Sequence, residues 1–206
     1  IKVLVALFVS PILGFFAGYL FAQLVYALSW KATPRINGVF KKLQIITSFG
    51  LGLSHGSNDA PKSMGLITLG LLISGNISSF IVPPWVVLAG AAAIALGTAV
   101  GGWQLIRTLG SKFYRIRPIH GFASQASSAV VILTASLLGG PTSTTQVVST
   151  AIMGVGAADR ISKVRWGVAG EILSTWLITI PVTGGLAAGI YWLITAASPL
   201  ISRLFG

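Results

Sequence analysis

The sequence predicts an all-α integral membrane fold, and three observations lead to that prediction. Hydrophobic residues make up 54% of the 206 residues and charged residues only 8%, whereas a soluble domain has about 25% charged residues. The apolar residues are collected in stretches long enough to cross a bilayer. The basic residues cluster in the segments between those stretches, which is typical of membrane proteins.

Five apolar stretches follow one another along the chain, at about residues 3–29, 43–82, 85–106, 121–158 and 166–197. The second and the fourth are far longer than the roughly 20 residues that one spanning helix needs. Each contains a polar interruption, at residues 54–60 and 139–146 respectively. Non-helical backbone is tolerated inside a membrane only where it is buried in protein or lines a cavity. We therefore expect an unwound break in the second stretch, with a new helix starting at Pro61.

The distribution of positive charge predicts the topology. Eleven of the 14 basic residues form three clusters: Lys31, Arg35, Lys41 and Lys42; Arg107, Lys112, Arg115 and Arg117; Arg160, Lys163 and Arg165. If all three clusters are cytoplasmic, the fourth stretch must begin and end on the cytoplasmic side. Its second arm, about residues 147–158, is too short to span. We expect about four crossings, one of them broken, plus one re-entrant helical hairpin with its polar tip at mid-membrane.

Several functional classes are not expected from this sequence. The net charge of +11 would suit nucleic acid, but the clustering of the charge between apolar stretches is better explained by membrane topology. The chain has no cysteine, so disulfides and thiolate metal sites are excluded. It has no P-loop and no H-E-x-x-H motif. We expect neither an enzyme nor a cofactor.

The first polar interruption carries a candidate ion site. Asp59 is one of only three acidic residues, and an ionisable group at the bilayer centre marks function by default. Together with Asn58 it offers oxygen ligands to Na⁺, or it can carry H⁺. Lys62 could neutralise Asp59 in an empty site or face an anion, although a structural ion pair or a snorkelling lysine are alternatives. His55, beside the interruption, is more simply a hydrogen-bonding residue.

The second polar interruption carries a candidate anion site. Thr142, Ser143, Thr144 and Thr145 open the second arm of the predicted hairpin. A helix N-terminus offers free N–H groups and a positive dipole end, and hydroxyl groups add further donors. Phosphate is the natural candidate for such a site. The alternative is simple capping of the helix, but capping needs one hydroxyl rather than four in a row.

Two segments resemble signatures of the PiT family of inorganic phosphate transporters. Residues 56–65, G-S-N-D-A-P-K-S-M-G, resemble the family's G-x-N-D repeat signature in the form common in the second repeat of bacterial members. Residues 140–146, G-P-T-S-T-T-Q, resemble its G-x-P-x-S-T-T-[HQ] signature. Trp176, Thr179 and Pro181 fit its last helix. The resemblance covers nearly the whole chain.

The resemblance implies an inverted-repeat transporter, of which residues 1–206 look like the C-terminal repeat, a single membrane domain. Asn58 and Asp59 would then bind the coupling cation and support the phosphate site. Ser143, Thr144 and Thr145 would contact phosphate or, for Thr145, also the cation. Gln125 is placed in the cation set, at a position where the family often has Glu. Because that carboxylate is missing, the coupling ion stays open between Na⁺ and H⁺.

The expected function is therefore symport of inorganic phosphate with Na⁺ or H⁺ by a multi-pass protein of the cell membrane. An N-terminal repeat or a second chain would complete the transporter, and a chain that begins at Ile1 rather than Met suggests a longer protein. Two alternatives remain open at this point. One is transport of another tetrahedral oxyanion such as sulfate, and the other is a non-transporting membrane subunit.

Overall fold

The computed structural model describes residues 2–33, 35–111, 116–140 and 142–205. Lys112 and Arg115 of the second basic cluster, and Pro141 of the hairpin tip, lie outside them. Six α-helices occupy these ranges, with a 3₁₀ turn at Ile161–Lys163, and no β-strand occurs in them: α1 Lys2–Leu28, α2 Ile36–Ile73, α3 Pro84–Ser111, α4 Pro118–Leu137, α5 Thr144–Asp159 and α6 Trp166–Phe205. The predicted all-α class is confirmed.

Three helices of the described chain are long and apolar enough to cross a membrane. The apolar segments are Phe8–Leu28 in α1, Pro84–Trp103 in α3 and Ala169–Ala196 in α6. Helix α2, with 38 residues, is longer than any of these segments, but its polar centre keeps it out of this group. The count of about four crossings stays a prediction.

The chain divides into two compact units, Ile1–Val164 and Arg165–Gly206. The second unit is essentially α6, a 40-residue helix whose described side chains are mostly exposed. The first unit contains the other five helices, and both predicted polar interruptions lie within it. The prediction of one domain over residues 1–206 stays a prediction.

Close packing of α5 on α1 forms the centre of the first unit. Most of α5 is buried between Gln146 and Ala157. A methyl group built on Gly18 would collide with the carbonyl oxygen and Cα of Ala151, and one on Gly154 with the backbone of Phe15. Small residues at such positions let two helix backbones approach closely. Gly14 and Gly18, in a G-x-x-x-G spacing, therefore allow the second arm of the hairpin to pack directly against α1. This contact was not predicted from the sequence.

The first arm of the hairpin, α4, packs along α2 on the other side. Gln44 Nε2 donates to the Pro118 carbonyl oxygen at 2.7 Å, and Ser136 Oγ donates to the Ser57 carbonyl oxygen at 3.3 Å. Residue numbers thus rise together along α2 and α4, so the two helices run parallel. The α4–α5 hairpin is held between α1 and α2.

The two ends of the fourth apolar stretch meet at the base of the hairpin. The Tyr26 ring stacks edge-on against His120, at 6.2 Å between centroids, and Gln23 Nε2 donates to the Ala158 carbonyl oxygen at 3.4 Å. The end of α1, the start of α4 and the end of α5 therefore meet at one end of the unit, where Arg117 and Arg160 also lie. The two arms form a hairpin, as predicted. Its re-entrant ending inside a bilayer stays a prediction.

The predicted break in α2 is wrong, because the helix runs without interruption through residues 54–60 and Pro61. Proline lacks an N–H group, so it leaves the carbonyl of the residue four positions earlier without a helical donor. That carbonyl belongs to Ser57, and the Ser136 hydroxyl supplies the missing donor. The Ser54 and Ser57 hydroxyls donate to carbonyls one turn back, each at 2.8 Å. The polar run is therefore satisfied without unwinding.

The polar interruption of the hairpin is also shorter than expected. Helix α4 ends at Leu137 and α5 begins at Thr144, so the connection covers residues 138–143 rather than 139–146. Gly139 adopts a φ of 69°, a left-handed conformation that glycine accepts without steric cost. This residue lets the chain reverse directly after α4.

Replacing Gly18 by leucine should loosen the hairpin from α1. The new side chain would collide with the Ala151 backbone, and overpacking of this kind costs about 1–3 kcal/mol. We expect the melting temperature of the purified protein to fall by about 5 °C. A matched control is Gly50→Ala on α2, where an added Cβ meets open space. Equal melting temperatures for Gly18→Leu and the unaltered protein would contradict the close approach.

Candidate functional site

Asn58 joins the middle of α2 to the tip of the hairpin. Its side chain is only 5% exposed. Asn58 Nδ2 lies 2.9 Å from the Thr142 carbonyl oxygen, and Asn58 Oδ1 accepts from the Thr142 backbone N–H at 3.4 Å and hydroxyl at 3.3 Å. One amide thus satisfies both backbone groups of a single tip residue. Asn58 Nδ2 is also within 3.3 Å of Thr144 Oγ1, in the first turn of α5.

The Asp59 carboxylate is contacted on both of its oxygens. Asp59 Oδ1 lies 2.8 Å from Lys62 Nζ and 2.8 Å from Asn58 Nδ2. Asp59 Oδ2 lies 3.0 Å from His55 Nδ1 and accepts from the Thr144 hydroxyl at 3.3 Å. The side chain of Asp59 is 32% exposed. The carboxylate is therefore well organised and still open to an arriving ion.

Lys62 connects the same carboxylate to the hairpin tip. Lys62 Nζ donates to Asp59 Oδ1 and, at 3.0 Å, to the Thr142 carbonyl oxygen. A cavity of about 350 Å³ lies beside it. The cavity is lined by residues of α2 and of the first arm and tip of the hairpin: Ser57, Asn58, Pro61, Lys62, Ser136, Gly139 and Gly140. The ammonium group therefore lies between a carboxylate, a carbonyl and open space.

The N-terminus of α5 has the features of an anion site. Ser143 is the N-cap residue in extended conformation, and within the described structure its side chain makes no capping bond. The N–H groups of the first helical turn have no acceptor inside a helix, and they carry the positive end of the helix dipole. Ser143 and Thr144 are half-buried and Thr145 is exposed. Of the four hydroxyl residues, Ser143 at the N-cap position therefore does not cap the helix through its side chain in the described structure.

The structure brings most of the predicted site residues together. Asn58, Asp59 and Lys62 contact Thr142 or Thr144 directly, and Ser143 and Thr145 adjoin Thr144 in the chain. These residues come from two segments separated by about 85 positions in the sequence.

Gln125 is the exception among the predicted site residues. Its Oε1 accepts from Thr47 Oγ1 at 2.7 Å, on a part of α2 that lies 11 residues before Asn58. At 1.5 Å per residue this corresponds to about 16 Å along the helix. The structure therefore does not bring Gln125 to the Asp59 carboxylate, because α4 faces α2 at a different level there.

Two residues contact the site although neither was among the predicted site residues. His55 contacts Asp59 because it lies one helical turn earlier, and the i, i+4 spacing could have indicated this contact. Ser136 supplies the hydroxyl that satisfies the carbonyl freed by Pro61. No sequence signal identifies Ser136, since its partner lies on another helix.

Residues 52–56, G-L-S-H-G, have the G-x-S-x-G spacing of a hydrolase nucleophile. The structure argues against that chemistry. Ser54 lies inside α2, is 3% exposed, and donates its hydroxyl to the Gly50 carbonyl oxygen at 2.8 Å. A nucleophile elbow needs a strained turn between a strand and a helix. The spacing is therefore incidental.

A family model described as the phosphate transporter family matches residues 1–187. The chain belongs to this family. The membership confirms the resemblance drawn from residues 56–65 and 140–146. Together with the three apolar helices, it identifies a multi-pass protein of the cell membrane.

Individual relatives of this family member are also recognisable. The chain is 38% identical over 196 residues to a probable low-affinity inorganic phosphate transporter of Bacillus subtilis, covering 94% of this chain and 59% of that protein. A protein of the same description from Rhizobium meliloti is 42% identical over 189 residues, covering 91% and 57%. The chain thus spans less than two thirds of the length of these relatives.

A solved structure described as the sodium-dependent phosphate transporter has a similar fold. The TM-score is 0.69 at 33% sequence identity, and the match covers 78% of this chain and 41% of that one. The similarity extends the family relationship from sequence to backbone geometry.

Replacing Asn58 by alanine should release the hairpin tip from α2. The Thr142 N–H and hydroxyl would lose their acceptor, and a buried polar group left unpaired costs about 1–3 kcal/mol. We expect faster amide hydrogen exchange in residues 138–146, measured by mass spectrometry. Ser63→Ala, an exposed change on the same helix, is the matched control. Equal exchange in Asn58→Ala and the control would show that Asn58 does not hold the tip.

Proposed function

We propose that this chain forms one half of a transporter that moves inorganic phosphate across the cell membrane together with a cation, Na⁺ or H⁺. The observation that carries this proposal is the contact between Asn58, Asp59 and the start of α5. This contact places the Asp59 carboxylate next to the N-terminus of α5. Family membership and the descriptions of the relatives support phosphate as the substrate.

Phosphate is assigned to the first turn of α5. The free N–H groups of that turn and the hydroxyls of Ser143, Thr144 and Thr145 are donors that a tetrahedral oxyanion accepts. The Lys62 ammonium lies on the adjacent face of the tip, near the Thr142 carbonyl. It can supply positive charge to the anion. In the empty site the Thr144 hydroxyl donates to Asp59 Oδ2 at 3.3 Å, so it has to turn from the carboxylate to donate to the anion, and Asp59 holds it at the site until then.

The coupling cation is assigned to the Asp59 carboxylate. Carboxylate, amide and hydroxyl oxygens are ligands that hard cations prefer. Asp59 and Thr145 can offer such oxygens to Na⁺, while a proton would bind the carboxylate itself. Asn58 Oδ1 already accepts from the Thr142 N–H and hydroxyl, so Asn58 supports the cation site by donating from Nδ2 to Asp59. Gln125 was expected in this set, but its contact with Thr47 lies three turns away. We therefore leave Gln125 out of this ion site.

Electrostatics gives a reason why phosphate and cation should travel together. Two like charges 4 Å apart repel by about 4 kcal/mol at the effective dielectric constant of a protein surface. In the empty site the Lys62 ammonium balances the Asp59 charge. Once Lys62 turns towards an anion, the uncompensated carboxylate opposes that anion at the neighbouring turn of α5. A bound Na⁺ or a proton removes that opposition. The contact between Asp59 and the first turn of α5 supports symport in this proposal.

A complete transporter needs a further half under this proposal. The relatives are longer than this chain, which covers 59% and 57% of the two described above. We propose that an N-terminal repeat, or a second chain, places a corresponding G-x-N-D helix and hairpin opposite this one. Phosphate and cation would then lie between two inverted halves, and alternating access would expose them to each side in turn.

The test of the proposal is uptake of radiolabelled phosphate into proteoliposomes that contain the complete protein. Imposed Na⁺ and H⁺ gradients, applied separately, identify the coupling ion by which gradient drives uptake. Excess sulfate distinguishes a phosphate transporter from a general oxyanion transporter. Absence of uptake by a well-folded complete protein would favour a non-transporting subunit.

Asp59→Asn should reduce phosphate uptake by about 100-fold or more, because the amide cannot balance a cation or carry a proton. Ser143→Ala should raise the KM for phosphate by about 10-fold through the loss of one hydroxyl to a charged ligand. Initial rates in the proteoliposome assay measure both effects. Glu171→Gln, the same change of carboxylate to amide at an exposed position of α6, is the matched control. Normal uptake by either site variant would remove that residue from the site.

A further inference from the structure

The Lys62 ammonium lies among the kind of ligands that a hard cation uses. Its two acceptors are a carboxylate oxygen of Asp59 at 2.8 Å and the backbone carbonyl oxygen of Thr142 at 3.0 Å. They come from two different elements, α2 and the hairpin tip. Carboxylate and carbonyl oxygens are also the common ligands of hard metal cations in proteins. The position of the ammonium is therefore one that a small cation could occupy in its place.

The surroundings allow the ammonium to leave this position. The Lys62 side chain is 43% exposed and that of Asp59 32% exposed on this half of the transporter, so residues of this half do not enclose the pair. Lysine carries its charge on a flexible four-carbon stem. The stem of Lys62 borders the cavity of about 350 Å³ that extends to Gly139 and Gly140. Release into this space requires rotation of the side chain and loss of its bonds to Asp59 and Thr142.

The other contacts of Asp59 would remain when the ammonium leaves. Asn58 Nδ2 and the Thr144 hydroxyl keep the carboxylate oriented, and Asn58 alone continues to hold the Thr142 carbonyl in place. The oxygen pair is therefore arranged independently of Lys62. A site that stays formed after its occupant departs can receive a different occupant.

From this geometry we propose that Lys62 is a built-in competitor of the coupling cation. In the empty site its ammonium occupies the Asp59 and Thr142 oxygens, and a cation that binds there displaces it towards the hairpin tip. This inference rests on the proposed function and adds the order of events. Cation binding frees a positive charge next to the anion site, so the cation and phosphate strengthen each other's binding. A static ion pair would produce no such linkage.

The competition predicts effects of opposite sign for the two ligands. Lys62→Met removes the ammonium and keeps a side chain of similar length. In the absence of phosphate, we expect this variant of the complete protein to bind ²²Na⁺ at least about fivefold more tightly than the unaltered protein. We expect it to bind radiolabelled phosphate about fivefold more weakly. Fivefold is the low end of the usual range of coupling between two sites. Equilibrium binding to the purified protein measures both affinities independently of transport.

Lys42→Met is the matched control, because Lys42 is an exposed lysine of the same helix, 17 residues before Asp59. It should leave both affinities unchanged. Lys62→Gln is the second variant, for use if Lys62→Met does not give a monodisperse protein. If the uptake assay identifies Na⁺ as the coupling ion, unchanged or weaker Na⁺ binding in a folded Lys62 variant overturns the competitor role. If it identifies H⁺, phosphate binding that depends on pH in the variant as it does in the unaltered protein overturns it. A lack of phosphate uptake by the unaltered protein instead overturns the proposed function, so the two failures are distinguishable.

Discussion

The pairing of Asn58 with Thr142 is the contact on which the site depends. It fixes the position along α2 at which the hairpin tip makes contact. That position in turn sets the distance from Asp59 to the first turn of α5. An acidic side chain and a helix N-terminus must be close for a cation and an anion to influence each other, since charge interactions decline with distance and solvent. The buried Asn58 amide bonds both the N–H and the carbonyl of Thr142, so only one position of the tip along α2 satisfies these groups.

Packing elsewhere in the first unit supports that contact. The glycines of α1 allow α5 to lie backbone to backbone against it, so the buried second arm has little freedom to slide. Along α2, Ser136 completes the hydrogen bonding that Pro61 would otherwise leave open. The same bond therefore keeps α2 helical and ties the first arm to it. The stability of α2 and the position of the hairpin tip therefore depend on the same contact between α2 and α4.

Asp59 is assigned to the cation and Lys62 to the anion, yet the two side chains also bind each other. Binding of one ligand therefore affects binding of the other. A carboxylate and an ammonium on one helical face balance each other when nothing is bound. Both side chains are partly exposed on this half of the transporter, so the pair is accessible to ligands that enter between the halves. Such a pair can be rearranged by ligands of ordinary affinity. A deeply buried pair would be harder to separate.

Sequence alone determined the all-α membrane class, the hairpin and the two segments that meet at the candidate site, because these follow from hydropathy, charge placement and short motifs. The arms of the hairpin were predictable since both ends carry basic clusters, while the continuity of α2 was not. Polar residues and Pro61 favour a break locally, whereas in the structure the Ser136 hydroxyl, from another helix, donates to the carbonyl that Pro61 leaves without a donor. Likewise Gln125 was grouped with Asp59 by motif, yet packing places it beside Thr47. The tertiary structure decided which polar groups meet, because hydrogen bonds between helices depend on register that no local pattern contains.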